Sequence, residues 1–310
     1  MNLSVRQLRA FVLGAKHLSF SAAAAEMGIT QPGFSLLIRQ FEEEIGLQLF
    51  HRTTRRIELT VMGQEMLEKA RRTLNQIGEL ERQANNLQQG LQGSLQIGVI
   101  ASVACSLFPH ALAAFQQQCP GVKVDFHEVQ AAPLLASVLD GEFELGWGLY
   151  PSPQPELDFE PLYRDPMIVL MHESHPLARR EHVTWRALRS HPFISASKQS
   201  GVRIYAERAA AAVGVEIQPA HITPSLSTAV GLVRQQVGCA VMPLLPLENL
   251  NLERLVIRRL ERPGIWRENG LLTRKGWPLS PAAQAFMAVA RTAASSHRLS
   301  DAMTSATQQL

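Results

Sequence analysis

The sequence has few cysteines and no long apolar run. Its three cysteines, Cys105, Cys119 and Cys239, are too scattered among 310 residues for a disulfide framework or a zinc knuckle. No apolar stretch approaches the ~20 residues that span a bilayer. The first ten residues lack the apolar core of a signal peptide. We therefore expect a cytoplasmic protein without a membrane segment.

Motifs for catalysis and cofactor binding are also missing from the sequence. It contains no glycine-rich phosphate loop and no recognisable nucleophile, histidine and acid arrangement. His172 and His175 have the spacing of a metal-binding pair, but no cysteine or carboxylate completes the ligand set. We predict no enzyme activity, no cofactor and no metal. The formal net charge of +3 is too small to indicate a nucleic-acid partner by itself.

Three segments near the N terminus have the apolar spacing of helices. Gly28 supplies a turn after the second segment, and Thr30 is positioned to cap the third, in which Pro32 is tolerated in the first turn. The third helix carries an apolar stripe formed by Phe34, Leu37, Ile38, Phe41 and Ile45. Its opposite face carries Pro32, Leu36 and Arg39, with Gln31 and Ser35 at the margin. This order is typical of a helix-turn-helix, although periodicity alone fits a plain helical bundle equally well.

A basic cluster follows the third helix. It contains Arg52, Thr53, Arg55 and Arg56, and short alternating segments flank it at Leu49–Phe50 and Ile57–Leu59. A short basic run is usually a solvated surface. Here the flanking segments predict the two strands of a wing, and this position favours contact with DNA phosphates.

A long helix is predicted over residues 61–90, capped by Thr60. Its apolar residues advance by threes and fours at Leu67, Ala70, Leu74, Ile77, Leu80, Ala84 and Leu87. Such a seam is usually core packing. No further helix precedes the break at Gly90 and Gly93, so the pattern favours pairing with a second copy of the chain.

From Gly93 onward the pattern alternates between strands and helices. This alternation predicts an α/β domain with largely parallel sheets over residues 93–294 and a loose tail over 295–310. The proline-rich stretch Pro151–Pro155 looks like a crossing between two lobes. We expect lobe I to comprise 93–162 with 268–294, and lobe II to comprise 163–267. Strands are expected at Leu95–Ile100, Val122–Val129, Phe143–Trp147, Met167–Met171, Glu216–Ile222, Cys239–Met242, Leu255–Arg259 and Gly270–Arg274.

The N-terminal 65 residues resemble the LysR-type transcriptional regulators. The resemblance rests on Gln7-Leu8-Arg9, Ser19-Phe20-Ser21, Gln31-Pro32 with Ser35, Leu49-Phe50 with Arg52-Thr53, and Leu59-Thr60 with Gly63. It continues to about residue 290, through Pro120-Gly121, Phe143-Glu144-Leu145, His175-Pro176-Leu177-Ala178 and Gly238 with Pro243. Three features depart from the family: Leu36 replaces a frequent arginine, Gln236 replaces a common glycine, and residues 199–208 contain no cysteine.

The resemblance implies an α+β multidomain regulator. Its parts would be a winged helix-turn-helix over residues 1–60, a dimerising linker helix over 61–90, and a two-lobed effector domain like a periplasmic binding protein. Family members are usually homotetramers that bind promoter DNA and respond to a small molecule. RNA polymerase is a further partner if the protein is an activator. The alternative is an enzyme or solute-binding α/β domain with an appended regulatory helix-turn-helix.

Two sets of site residues follow. The DNA-binding set is Ser21, Gln31, Pro32, Ser35, Leu36, Arg39, Arg52, Thr53, Arg55 and Arg56. The effector-binding set is Ser102, Trp147, Ser195, Ser197, Arg203 and Thr228. Ser102 follows a strand and begins a helix, where its hydroxyl and the first-turn amides are suited to an anion, so we expect a carboxylate-bearing ligand. The serines are alternatively helix caps, and Trp147 is alternatively a core residue.

Overall fold

The computed structural model describes residues 3–52, 57–89 and 93–296, and the chain forms two compact units, residues 1–85 and 86–310. The first unit contains three helices, a two-stranded wing and a long helix. These elements are α1 (Val5–His17), α2 (Phe20–Glu26), α3 (Gln31–Ile45), β1 (Phe50–Arg52), β2 (Ile57–Leu59) and α4 (Val61–Gln89). The boundary between the units therefore lies inside α4.

Phenylalanine rings form the centre of the first unit. Phe11, Phe20, Phe34, Phe41 and Phe50 come from three helices and the wing, and all are buried. Neighbouring rings in this group lie 5.3–5.7 Å apart between centroids, a separation typical of favourable aromatic packing. The apolar stripe of α3 therefore faces the core, as its periodicity predicts.

The start of α4 is tightly joined to the wing. The Thr60 hydroxyl accepts a hydrogen bond from the Gly63 amide at 2.9 Å and donates to the Gln48 carbonyl at 2.7 Å. Thr60 thus caps α4, as expected from the sequence. Gly63 lies so close to the neighbouring backbone that a Cβ atom there would be only 2.2 Å from the Leu49 carbonyl oxygen. Only glycine fits this contact.

The second unit alternates strands and helices along the chain. In order, its elements are β3 (Gly93–Val99), α5 (Ala101–Ala104), α6 (Leu107–Gln118), β4 (Val122–Glu128), α7 (Ala131–Leu139), β5 (Leu145–Leu149), β6 (Leu157–His172), β7 (His182–Thr184), α8 (Trp185–Leu188), β8 (Phe193–Ser195), α9 (Gly201–Ala211), β9 (His221–Ile222), α10 (Leu226–Arg234), β10 (Cys239–Pro243), a 3-10 helix (Leu245–Asn249), β11 (Leu255–Glu261), β12 (Trp266–Arg274) and α11 (Pro281–Ser296).

The strands pair in the order β4-β3-β5-β12-β6-β10-β8-β9, and β11 joins β6 to β7. Strand β3 is parallel to β4 and β5, and β8 is parallel to β9 and β10. Around β6 the pairing is antiparallel, with β12 on its first part and with β10 and β11 on its second part. The sheets are therefore mixed, and the expectation of largely parallel sheets is wrong for the centre of the unit.

The 16-residue strand β6 carries the chain from one lobe to the other. Residues Leu157–Pro166 pair with β12 in lobe I, and Met167–His172 pair with β10 and β11 in lobe II. The predicted crossing at Pro151–Pro155 is wrong, since those residues precede the strand that makes the crossing. The long strand predicted over Glu216–Ile222 is reduced to two residues, His221–Ile222.

Each lobe of the second unit has its own hydrophobic core. In lobe I, α6, α7 and α11 pack on the sheet through residues such as Phe108, Leu134 and Phe286. In lobe II, one core includes Trp185 and Val241, and another includes Ile194 and Val233. Because the cores of lobe I and lobe II are separate, the ends of the strands between the lobes are available for a ligand.

Replacement of Gly63 by alanine is expected to destabilise the first unit by about 1–3 kcal/mol, because the added methyl group overlaps the Leu49 carbonyl. The matched control is Gly231→Ala in α10, where a Cβ has open space and the helix gains up to about 1 kcal/mol. All four tryptophans lie in the second unit. Urea unfolding of the full chain can therefore be monitored by two signals. Tryptophan fluorescence reports the second unit alone, and circular dichroism reports both units. A Gly63→Ala protein as stable as the parent by both signals would contradict the expectation.

Candidate functional site

The outward face of α3 carries the residues predicted to read DNA. Gln31, Pro32, Leu36 and Arg39 are exposed, and Leu36 is 53% exposed. Ser35 is half-buried, and its hydroxyl accepts a hydrogen bond from the side-chain Nε2 of Gln31 at 3.0 Å. Thr30 caps the helix, since its hydroxyl accepts a hydrogen bond from the Gly33 amide at 3.3 Å. The cap and the glycine turn at Gly28 (φ 65°) are thus arranged as the sequence indicates.

The remaining DNA-binding candidates lie on α2 and the wing. Ser21 is exposed in the first turn of α2. In the wing, Phe50 pairs with Leu59 and Arg52 with Ile57, so residues 53–56 connect the strands. The side chain of Arg52 and all of Thr53, Arg55 and Arg56 lie outside the described residues, and their phosphate contacts stay a prediction.

Glu42 joins the recognition helix to the wing, a role that the sequence did not indicate. One oxygen of its carboxylate accepts hydrogen bonds from the amides of Leu49 at 2.8 Å and Phe50 at 3.1 Å. These residues begin the wing and belong to the core of the first unit. The position of the wing relative to α3 therefore depends on a side chain at the end of α3.

A cavity of about 210 Å³ lies between the two lobes of the second unit. Its polar lining comes from the ends of strands and the segments that follow them. Glu128 ends β4, Ser195 ends β8, and Ser102 follows β3. The other polar residues that line the cavity are Gln130, Ser200, Thr223, Ser225 and Arg267. Most of these polar residues carry hydroxyl groups, and apolar residues such as Ile100, Leu149 and Met242 line the rest of the cavity, so it suits a small ligand with polar and apolar parts.

Of the six effector-site candidates, Ser102 and Ser195 line the cavity. Ser197 lies beside it and links the lobes, since its hydroxyl donates to the side-chain oxygen of Gln130 at 2.9 Å. The anion-binding role of Ser102 stays a prediction. Helix α5 has only four residues, and the amides of Val103 and Ala104 donate to the Ile100 carbonyl, so a ligand at Ser102 would depend on the hydroxyl group rather than on these two amides.

The other three candidates are not in the cavity lining, and the structure corrects them. Trp147 is completely buried and packs edge-on against Phe286, with ring centroids 6.4 Å apart. Arg203 is buried in α9 and its Nε donates to Glu207 at 2.6 Å. Thr228 is exposed on α10. Each of the three is within two residues of a lining residue in the sequence, but its own side chain is not part of the lining.

Arg267, in the cavity lining, belongs to a buried ion pair that the sequence did not reveal. Arg267 on β12 donates from Nη2 to Asp165 Oδ2 on β6 at 2.6 Å, and both side chains are 1% exposed. The same nitrogen lies 3.4 Å from the Ser102 hydroxyl. Arg267 and Asp165 are more than 100 residues apart in sequence, and only the pairing of β12 with β6 places them together.

The histidine pair weighed as a metal site has local hydrogen bonds. His172 is buried, and its Nδ1 lies 2.7 Å from the Ser174 hydroxyl. Burial, and secondarily the neighbouring His191, lower the pKa of His175 below its ordinary value. Among the described residues, no group of three or more potential ligands is placed to hold a metal ion.

Two sequence profiles together match nearly the whole chain. Residues 5–64 match the bacterial regulatory helix-turn-helix of the lysR family, and residues 88–295 match the LysR substrate binding domain. The chain belongs to the LysR family. The matched ranges coincide with the two kinds of site described above, one on the outward face of α3 and one between the lobes.

Curated relatives match more than nine tenths of this LysR-type chain. It is 31% identical to the RuBisCO operon transcriptional regulator of Allochromatium vinosum, over 92% of this chain and 95% of that one. It is 29% identical to the HTH-type regulator YbhD of Escherichia coli, over 93% and 91%. Among solved structures it resembles CbnR, a LysR family regulator, with a TM-score of 0.70, 18% identity, and coverage of 94% and 99%.

These matches establish that the protein is a DNA-binding transcriptional regulator with an effector-binding domain. The fold likewise matches that of LysR regulators, an N-terminal helix-turn-helix followed by a mixed α/β domain. No helix in the described parts of the chain has the length and apolar character needed to cross a membrane.

Replacement of Glu42 by alanine is expected to destabilise the first unit by about 1.5–3 kcal/mol, because two amides lose a charged acceptor. It should also weaken DNA binding, because the wing loses its attachment to α3. The control is Glu43→Ala, which removes the same charge from the next, exposed residue. Circular dichroism melts and fluorescence anisotropy with a DNA duplex measure the two effects. Equal behaviour of the two variants would show that Glu42 does not position the wing.

Proposed function

We propose that the chain reads promoter DNA with the outward face of α3 and contacts the phosphate backbone with its wing. The observation that carries this proposal is the exposure of Gln31, Leu36 and Arg39 on a helix whose other face is fixed in a phenylalanine core. Glutamine pairs with adenine, arginine with guanine or phosphate, and serine with several base edges. Ser21 in α2 and Pro32 in the first turn of α3 would contact the DNA backbone.

The wing would supply sequence-independent affinity. Arg52 ends β1, the strand whose start Glu42 attaches to α3, and Arg55 and Arg56 lie in the sequence between β1 and β2. Arginine contacts with phosphates release counterions and make binding depend on salt. The basic cluster would therefore fix the register of the protein on DNA without selecting a sequence.

Helix α4 would join two copies of the chain. Its apolar seam begins in the core of the first unit, where Ala70 is buried and Leu67 is half-buried. Further along, Leu80 is 68% exposed, although it continues the same spacing. An exposed leucine on a continuing seam supports pairing with a second α4, and dimers would then associate into a homotetramer.

The cavity between the lobes would hold a small carboxylate-bearing effector, bound by Ser102 and Ser195. The hydroxyl groups among the polar lining residues support this assignment, and the Ser197–Gln130 hydrogen bond beside the cavity gives the ligand a contact between the lobes to alter. The described lining contains no histidine or cysteine, which supports binding rather than catalysis. A regulator of this kind works in the cytoplasm and meets RNA polymerase if it activates transcription.

Replacement of Arg55 by alanine should weaken binding to operator and random DNA alike. The slope of log affinity against log salt is expected to fall by about one unit, because one phosphate contact is lost. Arg180→Ala, which removes an equal charge from an exposed site in lobe II, serves as the control and should leave the slope unchanged. Titration of labelled duplexes at several salt concentrations provides the measurement. An Arg55→Ala slope equal to that of the parent would remove the wing from the interface.

Replacement of Leu36 by arginine should change the base preferred at one position of each half-site. Leu36 lies where an apolar group can contact a thymine methyl, whereas arginine prefers guanine. The added charge should also strengthen non-specific binding. Leu36→Gln is the control, since it should alter the base preference without strengthening non-specific binding. Selection from a randomised operator library compares the three proteins, and identical preferences at every position would show that Leu36 does not face the bases.

A further inference from the structure

The buried pair of Arg267 and Asp165 lies where the two lobes meet. The residues are direct cross-strand partners on β12 and β6, one residue before β6 passes into lobe II. The second oxygen of Asp165, Oδ1, accepts a hydrogen bond from the Leu245 amide at 3.2 Å. Leu245 begins the 3-10 helix that follows β10. Asp165 therefore binds the guanidinium group of Arg267 with one oxygen and the first residue of the 3-10 helix with the other.

The 3-10 helix contacts both lobes. Leu245 packs in the core of lobe I, whereas Leu244 and Leu247 pack in a core of lobe II. At its other end, the side-chain amide of Asn249 donates to the Cys105 carbonyl, which follows α5, at 2.9 Å. A change at Asp165 would consequently reach a segment that connects the two lobes.

Arg267 lines the cavity and has hydrogen-bonding capacity that the pair does not use. Its Nε atom is buried and has no hydrogen-bond partner among the described residues. The Ser102 hydroxyl, also in the cavity lining, lies 3.4 Å from Nη2. An arginine fork that faces a cavity beside a hydroxyl group is suited to a carboxylate, which it can bind through two parallel hydrogen bonds.

The charge of Arg267 is already neutralised by Asp165. The two groups are only 2.6 Å apart and both are buried, so water does not screen their attraction. A ligand carboxylate that approached the intact pair would meet a net charge near zero. Arg267 is also the only arginine or lysine in the described cavity lining. Strong anion binding at this site thus requires Asp165 to release part of its hold on Arg267.

We propose that Arg267 is the anion anchor of the effector site and that Asp165 is an internal competitor which the effector carboxylate displaces. This inference rests on the proposed effector function of the cavity. The effector carboxylate would bind Arg267 and the Ser102 hydroxyl, and Asp165 would loosen its contact with the Leu245 amide. Occupancy of the cavity would thereby be reported to the 3-10 helix that joins the lobes.

The remaining charge in the cavity lining restricts the ligand further. Glu128, at the end of β4, also lines the cavity and is exposed. A second negative group on the ligand would be repelled by this carboxylate, whereas an ammonium or hydroxyl group would be favoured. The site thus selects a mono-carboxylate rather than a dicarboxylate.

The test compares charged probes with neutral probes of the same shape. Acetate and benzoate are titrated into the full-length protein, with acetamide and benzamide as matched controls, and binding is measured by calorimetry and thermal shift. Asp165→Asn removes the competitor but keeps an oxygen for the Leu245 amide. We expect it to bind the carboxylates roughly tenfold more tightly than the parent, or better. A neighbouring charge at this distance commonly changes an ionic equilibrium constant by a factor of about ten or more. The amides should show no such gain.

The double variant Asp165→Asn/Arg267→Met is the matched control. It contains no buried unpaired charge, so it is expected to fold, and it should lose the carboxylate gain. If Asp165→Asn alone fails to fold, Arg267→Lys and Ser102→Ala provide the test. Asp165 keeps a positively charged neighbour in both variants. Both variants should lose the preference of the parent for carboxylates over amides. Carboxylate binding that is equal in the parent and Asp165→Asn, or that persists in the double variant, would overturn the proposal.

The same experiment distinguishes this inference from the proposed function. If the variants bind carboxylates and amides alike while Ser195→Ala abolishes the response of operator binding to a neutral ligand, the cavity is an effector site and Arg267 is not its anchor. If none of the cavity variants changes any ligand response and operator binding is intact, the effector function of the cavity itself is wrong.

Discussion

The two lobes of the effector-binding domain depend on a single strand. Strand β6 pairs with β12 in its first part and with β10 and β11 in its second part, so neither sheet is complete without it. Close to the point where it changes sheets, the strand carries Asp165, which is paired with Arg267, and both side chains are almost completely buried. A buried ion pair is a poor source of stability, because desolvation offsets much of its attraction. Its placement at the junction, beside the cavity, fits a role in the response to ligand better than a role in holding the fold.

The DNA-binding unit is built on a different constraint, a closely packed group of phenylalanine rings. These rings fix the inward face of α3, and the outward face follows from the 3.6-residue period of the helix. Glu42 then attaches the wing to the same helix through two backbone amides. The proposed DNA-binding surface is therefore presented by a closely packed core, which suits a helix that would have to hold its register in the groove.

The sequence predicted local features where the pattern of a few neighbouring residues is sufficient. The caps at Thr30 and Thr60, the turn at Gly28 and the exposure of Leu36 agree with the structure. Gln236 adopts the left-handed conformation, φ 60°, that the family usually gives to glycine. The effector site was predicted less well. Ser102 and Ser195 lie in the cavity lining because residues at strand ends are easily located, but Trp147, Arg203 and Thr228 face elsewhere.

The sequence by itself determined that the chain is a LysR-type regulator and which face of α3 is exposed, because both follow from short-range spacing. It did not determine how the lobes connect. A strand that is buried at one end and partly exposed at the other has no single period, so β6 was recognised only in its apolar second half, Met167–Met171. Arg267, Asp165 and Ser102 come from three distant segments, and nothing in their local sequences indicates a contact. Only the pairing of β12 with β6 brings these groups together, since two buried charges are stable only when the fold places each within reach of the other.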